Sequence, residues 1–245
     1  MRFAILADVH ANWPALEAVL EDLDEQGEVH ELYCLGDMVG YYPFPRECLD
    51  ALMERRAHCI LGNHERYLLG LSDGSRLRPS VLRPLELARE RLSAEQMSYL
   101  GGLKDRRKVR DLFLQVHGSP RDPDEYLFKA HWAANLDVLH ADHPGFGLCW
   151  FGHTHKAAVA SRERGVYPIR TSRRVRLGRT EVCLVNPGSV GQPRDRTPLA
   201  GYAIYDDETR IVYFRRVEYA VAETQAAVRR LGWSKKLSWR LGVGK

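Results

Sequence analysis

Three things are scarce in this chain of 245 residues, and each scarcity narrows what it can be. Its five cysteines include no CxxC pair, which excludes a zinc ribbon or a dithiol redox centre. Cys34, Cys59, Cys149 and Cys183 lie in or beside predicted strands and read as reduced core residues. Long apolar runs are missing as well. The opening Met1-Arg2-Phe3-Ala4-Ile5-Leu6-Ala7 stops at Asp8 and has no small-residue cleavage site after it, so it is not read as a signal peptide. No later run approaches the roughly 20 apolar residues of a membrane span. A cytoplasmic protein with no membrane partner is expected. Lysine is sparse, seven among 36 basic residues, and the net charge is only +4. Internal repeats, low-complexity tracts and linkers are also absent, so one domain over 1–245 is expected.

What is present is ordinary globular composition, 44% apolar and 28% charged, with a pattern along the chain. Residues 2–7 read as a buried strand ending in Asp8-Val9-His10-Ala11-Asn12. A helix follows, with Asn12 or Trp13 as cap, Pro14 in the first turn and an apolar face of Leu16, Val19, Leu20 and Leu23. Strands over 31–35 and 58–61 flank a helix over 45–56. They end in Gly36-Asp37 and in Gly62-Asn63-His64-Glu65. Residues 65–110 read mainly as a helical rim of the strand-end cleft, with a capping box at Ser93–Gln96 and a shared face of Leu85, Ala88 and Leu92. Val109–Val116 reads as one strand, ending in His117-Gly118-Ser119. A helix over 129–140 leads to the strand Gly147–Phe151 and then Gly152-His153-Thr154-His155. Strands over 157–160 and 181–185, a hairpin over 201–217 and a helix over 221–231 complete the pattern. Parallel βα units come first and strand-rich structure second.

Seven residues of metal-ligand type therefore follow apolar strands: Asp8, His10, Asp37, Asn63, His117, His153 and His155. The carboxyl edge of a parallel sheet is where α/β proteins bind ligands. Taken singly, Asp8, Asp37 and Asn63 read as turn formers. Together, three oxygen-type and four imidazole ligands are too many for a single tetrahedral zinc. They suit two ions held by mixed N/O ligands, as with Mn, Fe, Zn or Ni, and a carboxylate can bridge ions about 3.5–4 Å apart.

Asp8-x-His10, Gly36-Asp37, Gly62-Asn63-His64-Glu65, His117-Gly118 and Gly152-His153-x-His155 are, in order, motifs by which the chain resembles the calcineurin-like metallophosphoesterases. Asn186-Pro187-Gly188-Ser189-Val190-Gly191-Gln192 extends the resemblance to the small bacterial and archaeal branch. It covers residue 3 to about 205 and departs from the family at no motif position. It implies an α/β fold, a four-layer α/β/β/α sandwich with two divalent metal ions at the strand ends. It also implies that Asp8, His10, Asp37 and His155 hold one ion. Asp37, bridging, would hold the other with Asn63, His117 and His153. His64 would be the general acid.

The chemistry asks for the same parts. Phosphoester hydrolysis needs accelerations reaching about 10²¹ for monoesters, whereas general acid–base catalysis supplies about 10²–10⁴. Electrostatic stabilisation must supply most of the rest. The expected reaction is attack of a metal-bridging hydroxide on a phosphodiester or phosphomonoester, with His64 protonating the leaving alkoxide. Asn12, Tyr41 and Ser119 adjoin motif residues and are candidate substrate contacts. His30, His58, His131, His140 and His143 fit no motif and read as surface or packing residues.

Two basic stretches carry a choice. Residues 161–180 form a variable insertion whose first 19 positions hold seven arginines and one glutamate; it is expected as a hairpin or loop near the site. It is either a solvated face or a clamp for a nucleotide or nucleic acid. The basic tail 232–245 is either a nucleic-acid or acidic-surface contact or a locally packed end. Three functions follow: a hydrolase of small phosphoesters, a dinucleoside-polyphosphate hydrolase or nuclease, and a non-catalytic scaffold of the same fold.

Overall fold

Alternation along a handful of strands sorts the side chains into three cores, and those cores define four layers. The computed structural model of the protein describes residues 1–142 and 147–245. His143, read above as a surface or packing residue, lies outside the described residues. In β1 (Arg2–Leu6) Phe3 and Ile5 face one way and Ala4 and Leu6 the other, and all four are fully buried. A strand covered on both faces can only be central. β1 pairs in parallel with β2 (Glu31–Cys34), and β2 with β3 (His58–Cys59). On its other side β1 pairs antiparallel with β11 (Ala200–Asp206), then β12 (Ile211–Val217) and β9 (Arg173–Arg176).

The second sheet runs β4 (Arg106–Val109), β5 (Phe113–Val116), β6 (Leu148–Trp150), β10 (Cys183–Asn186), β7 (Ala158–Ser161), β8 (Gly165–Pro168). Phe113, Trp150, Val159 and Val185 face the first sheet and interlock with Phe3, Ile5, Tyr205 and Phe214. Leu114, Cys149, Ala160 and Leu184 face α6 (Trp132–Asp142). The outer face of the first sheet is covered by α1 (Trp13–Glu25) and α2 (Pro45–Glu54), with α3 (Asn63–Leu69), α4 (Pro79–Arg91) and α5 (Ala94–Gly101) packed beyond. The architecture is the expected α/β/β/α sandwich. No helix of the described residues is long and apolar enough to cross a membrane.

Several expectations need correction. Val109–Val116 is not one strand: Arg110 takes φ 48°, and β4 and β5 form an antiparallel hairpin around it. The strand expected over 58–61 is only two residues long. Asn12 occupies the cap position of α1 but makes no side-chain cap bond. Of the two readings of the basic tail, the locally packed end is the one that forms: it is a helix, α8 (Lys235–Val243), against α7 (Val221–Arg230), with Leu237 and Leu241 buried on Val228 and Tyr42. The capping box at Ser93 forms as read, with Gln96 N donating to Ser93 Oγ and Ser93 N to Gln96 Oε1.

The arginine-rich insertion crosses from the edge of one sheet to the edge of the other. Ile169 donates to the carbonyl of Ala157, two residues past His155, so the insertion does start near the ligand loops. It then leaves. Arg173 lies in the same row as Phe214, Ala203 and Ile5, whereas Arg176 lies in the row of Ile211, Asp206 and Arg2. β9 therefore runs away from the end of β1 that carries Asp8. Three strand spacings, roughly 14 Å, separate it from β1.

Candidate metal centre

The site is built where parallel strands end. Because Leu6 pairs with Cys34, the segments after β1 and β2 leave side by side. They stay bonded beyond the sheet: Asp8 N donates to Gly36 O, His10 N to Asp37 O and Ala11 N to Met38 O. In the second sheet β5 and β6 end together, and Gly152 N donates to His117 O. The two sheets meet at this end through His153 N, which donates to Asp8 Oδ1 at 2.9 Å.

The backbone here is unusual. Asp8, His10, Ala11, Asp37, Tyr41, His153 and His155 are seven of the eleven described non-glycine residues with left-handed φ, between 50° and 62°. Each costs on the order of 1 kcal/mol or more. Such a concentration marks a place where the fold spends stability to aim side chains. Gly62 shows how tight the packing is: a β-carbon there would lie 2.2 Å from Asp37 Oδ1 and 2.4 Å from Asp37 N.

All seven predicted ligands converge. Ligand-type atoms of Asp8, His10, Asp37 and His155 lie within 4.8 Å of one another, and so do those of Asp37, His117 and His153. Asn63 Oδ1 joins the second group, 3.1 Å from His117 Nε2. Asp37 belongs to both. Its Oδ1 accepts from His64 N, while Oδ2 stands 3.6 Å from His10 Nε2 and 3.4 Å from His117 Nε2.

The donor set fits divalent cations. His10, His117 and His155 direct Nδ1 at the carbonyls of Val39, Leu35 and Gln192, at 3.1, 2.7 and 2.6 Å. Those bonds place the proton on Nδ1 and turn the Nε2 lone pair inward. Two such lone pairs, His10 Nε2 and His155 Nε2, then face each other at 3.0 Å, and Asp8 Oδ2 is buried with no hydrogen-bond partner. Lone pairs crowded this closely need a positive charge between them. Ligands about 2.0–2.2 Å from one ion stand roughly 3–3.5 Å apart, which matches the spacings here.

Electrostatics in the metal-free protein point the same way. Burial pushes Asp8 up to about 7 against the pull of His117. Burial would raise Asp37 too, but the charge of His117 holds it well below the usual carboxylate range. Burial opposes charge on His117, yet Asp37 keeps it up at about 9. Burial and then His117 push His153 down to about 3, and burial and then Arg194 hold His155 well below an ordinary histidine. Binding a cation therefore displaces protons held by His117 and Asp8, in a pocket whose other imidazoles burial favours in the neutral form.

His64 opens α3 beside this cluster, with Nε2 4.0 Å from Asp37 Oδ2 and Nδ1 buried without a partner. Burial is the main cause that lowers it. Tyr41 packs on both His10 and His64, ring centroids 4.5 and 4.7 Å away. The other two predicted substrate contacts are committed elsewhere. Asn12 is fully buried, donating to Gly191 O and Tyr219 Oη and accepting from Thr224 Oγ1. Ser119 is fully buried and donates to Glu125 Oε2 at 2.6 Å.

Sequence reasoning overlooked two residues. Glu65 accepts from Asp37 N, Gly62 N and Val39 N at 2.8–3.0 Å, so it fixes the loop that presents Asp37. The available signal was its place three residues after Gly62, the reciprocal position of a capping box. Arg194 lies against the site: its N donates to His155 O, its guanidinium sits 5.8 Å from the Tyr41 ring centroid, and Nη2 is 3.4 Å from Tyr41 Oη. Its only sequence cue was its position just after Gln192.

Comparison with known proteins places the chain in a family. The chain is similar over its whole length to a metallophosphoesterase from Sphaerobacter thermophilus, with 36% identity, a TM-score of 0.85 and 99% of that chain covered. A hypothetical protein from Pyrococcus horikoshii shares the fold at 23% identity and a TM-score of 0.80, over 100% of this chain and 98% of that one. An uncharacterized protein of Methanocaldococcus jannaschii is 28% identical over 249 residues, 99% of this chain and 98% of its own. Residues 1–210 match the model of the calcineurin-like phosphoesterase superfamily domain, and the chain belongs to that superfamily.

Proposed function

We propose that this protein hydrolyses small phosphodiesters or phosphomonoesters with two divalent ions, drawn from Mn, Fe, Zn or Ni. The observation that carries the reading is Asp37 Oδ2, placed between two groups of inward-facing imidazole nitrogens. In this reading Asp8, His10, Asp37 and His155 would hold one ion, and Asp37, Asn63, His117 and His153 would hold the other. When bound, the ions supply Lewis acidity toward phosphoryl oxygens and acidify water enough to furnish a nucleophile at neutral pH.

The chain supplies the rest. Arg194 and Tyr41 stand on one side of the cluster, where a guanidinium and a phenol suit the non-bridging oxygens of a phosphoryl group. His64 is the proton donor to the leaving alkoxide. Burial disfavours its imidazolium form in the free protein, and the negative charge of an arriving phosphoryl group favours that form. Substrate therefore brings the acid into its active state. A scaffold would have no use for a buried imidazole held beside the ligand cluster with one nitrogen unpaired.

The test is hydrolysis of bis-p-nitrophenyl phosphate and p-nitrophenyl phosphate after stripping metal and adding back Mn²⁺, Ni²⁺, Zn²⁺ or Mg²⁺ singly. Turnover restored by metal, and reduced on the order of 10³-fold or more in Asp37→Ala, is expected. Wild-type protein that binds two ions and turns over neither ester would favour the scaffold.

A further inference from the structure

A row of aromatic rings leads from a metal-ligand histidine to the surface. The Tyr126 ring meets His153 edge-on, with centroids 5.3 Å apart. Phe128 lies 5.0 Å beyond Tyr126, tilted by 42°, and is 60% exposed. His131 closes the row, edge-on to Phe128 at 5.9 Å. The exposed ring stands next to the ligand loops, open to a flat partner.

The segment that carries these rings is braced. It starts at Gly118, directly after His117. Glu125 accepts from Ser119 Oγ, Asn135 Nδ2 and Arg121, and hydrogen bonding to Arg121, Ser119 and Asn135 outweighs its burial to hold it down at about 2. Tyr126 Oη donates to Thr154 O at 3.1 Å, which ties the ring row to the turn between His153 and His155. A rigid ring needs no ordering when a flat ligand lands on it.

Resting on the phosphoesterase reading above, we infer that Tyr126 and Phe128 form a stacking platform for the base of a nucleoside phosphoester. The phosphoryl group sits at the cluster beside Arg194, which adjoins both Tyr41 and Tyr126, and the base reaches outward over the two rings. A nucleobase is the class that fits, because it is flat and joined to its phosphate through a short sugar. The platform offers π faces rather than a set of hydrogen-bond groups, so it accepts any base. Stacking on one aromatic side chain contributes about 1–3 kcal/mol, or roughly 5- to 150-fold in affinity.

The experiment uses the full chain loaded with Mn²⁺ and two calorimetric titrants, the methylene phosphonate analogues of AMP and of ribose 5-phosphate, whose P–C bond resists hydrolysis. The adenosine analogue should bind about tenfold or more tightly than the ribose analogue. Phe128→Ala should erase most of that difference, and Phe128→Trp should keep it. Phe128 is exposed, so both variants should retain the wild-type melting temperature. A parallel arm compares kcat/KM for the p-nitrophenyl diesters of thymidine 5′-phosphate and of methyl phosphate, which share a leaving group. Equal binding of the two analogues, no binding of either, or a preference untouched in Phe128→Ala would overturn the platform. A base preference lost in Phe128→Ala, in protein that hydrolyses neither diester nor p-nitrophenyl phosphate, would uphold the platform and remove the phosphoesterase reading instead.

Discussion

The loops after β1, β2, β5 and β6 and the insertion 161–180 are both dense in residues of functional type, and the fold treats them in opposite ways. In the loops the imidazoles and carboxylates are buried or nearly so, the backbones of Asp8, His10, Asp37, His153 and His155 are forced into a costly conformation, and the Nδ1 atoms of His10, His117 and His155 are held by main-chain carbonyls. In the insertion the arginines are mostly exposed and bond to whatever lies near. Arg162 pairs with Asp137, Arg164 with Glu181, and Arg173 with the Tyr167 hydroxyl. Residue type alone does not distinguish the two regions. What distinguishes them is strain together with burial: a protein keeps uncomfortable backbone and desolvated polar atoms only where the surroundings enforce them. Changes in the loops should therefore alter metal binding and chemistry, and changes in the insertion should alter stability or nothing.

Glu65→Gln should give the largest contrast. The carboxylate accepts three backbone N–H groups, and a glutamine would turn its amide toward at least one of them. A loss of about 2–3 kcal/mol in denaturant unfolding is expected. Because Glu65 touches no ion in the proposed site, its effect on metal must travel through the Asp37 loop. Mn²⁺ affinity should fall about 10–100-fold by calorimetry. Unaltered affinity in the folded variant would mean that Asp37 is held in place without Glu65, and that the loop is less tightly determined than its backbone suggests.

How much of this could be read beforehand depends on where each partner sits in the chain. Asp8, Asp37 and the histidines were legible because strands announce themselves, and short polar residues after a strand mark the edge where ligands bind. The layers were legible from alternation, as in Phe3, Ala4, Ile5 and Leu6. The hydrogen-bond partners of Asn12 and Ser119 were not legible. Asn12 meets Gly191, 179 positions away, and Ser119 meets a glutamate on a loop with no regular pattern. The β4–β5 hairpin hid inside an apolar run because its turn is made by Arg110 and Asp111 without glycine or proline. Which residues the tail packs on could not be read, because Val228 and Tyr42 lie on separate elements. Arg194 carried no periodicity at all.

Within the insertion, the Arg164–Glu181 pair should act on stability alone. Hydrogen bonding to Arg164 is the main cause that brings Glu181 down to about 2, helped by Ser161 Oγ and Gly178 N at 2.6 and 2.7 Å. A carboxyl group depressed on folding stabilises above its unfolded pKa, near 4.5, and loses that contribution as pH falls toward 2. Glu181→Gln should therefore unfold at lower urea than the wild type at pH 7. The gap should narrow steadily between pH 4.5 and pH 2, while turnover at pH 7 stays within about twofold of the wild type, as for a change away from the site. A gap that stayed constant across that window would assign the effect to packing rather than charge.

The smallest effect is expected where the sequence looks most eventful. β9 is an edge strand, and Arg173, Arg174 and Arg176 stand on it with exposed side chains. Charged residues on an edge discourage pairing with another chain, which is reason enough for arginine there. The triple change to glutamine should leave hydrolysis of small esters within about twofold and shift stability by no more than about 0.5 kcal/mol per site. A large loss of small-ester turnover would place this edge at the reaction after all, against the strand register. Salt-sensitive binding of DNA or RNA that disappears in the triple variant, with turnover intact, would give the edge a nucleic-acid role separate from the chemistry. With neither change, the arginines act as edge protection, and the function of the chain resides in the loops alone.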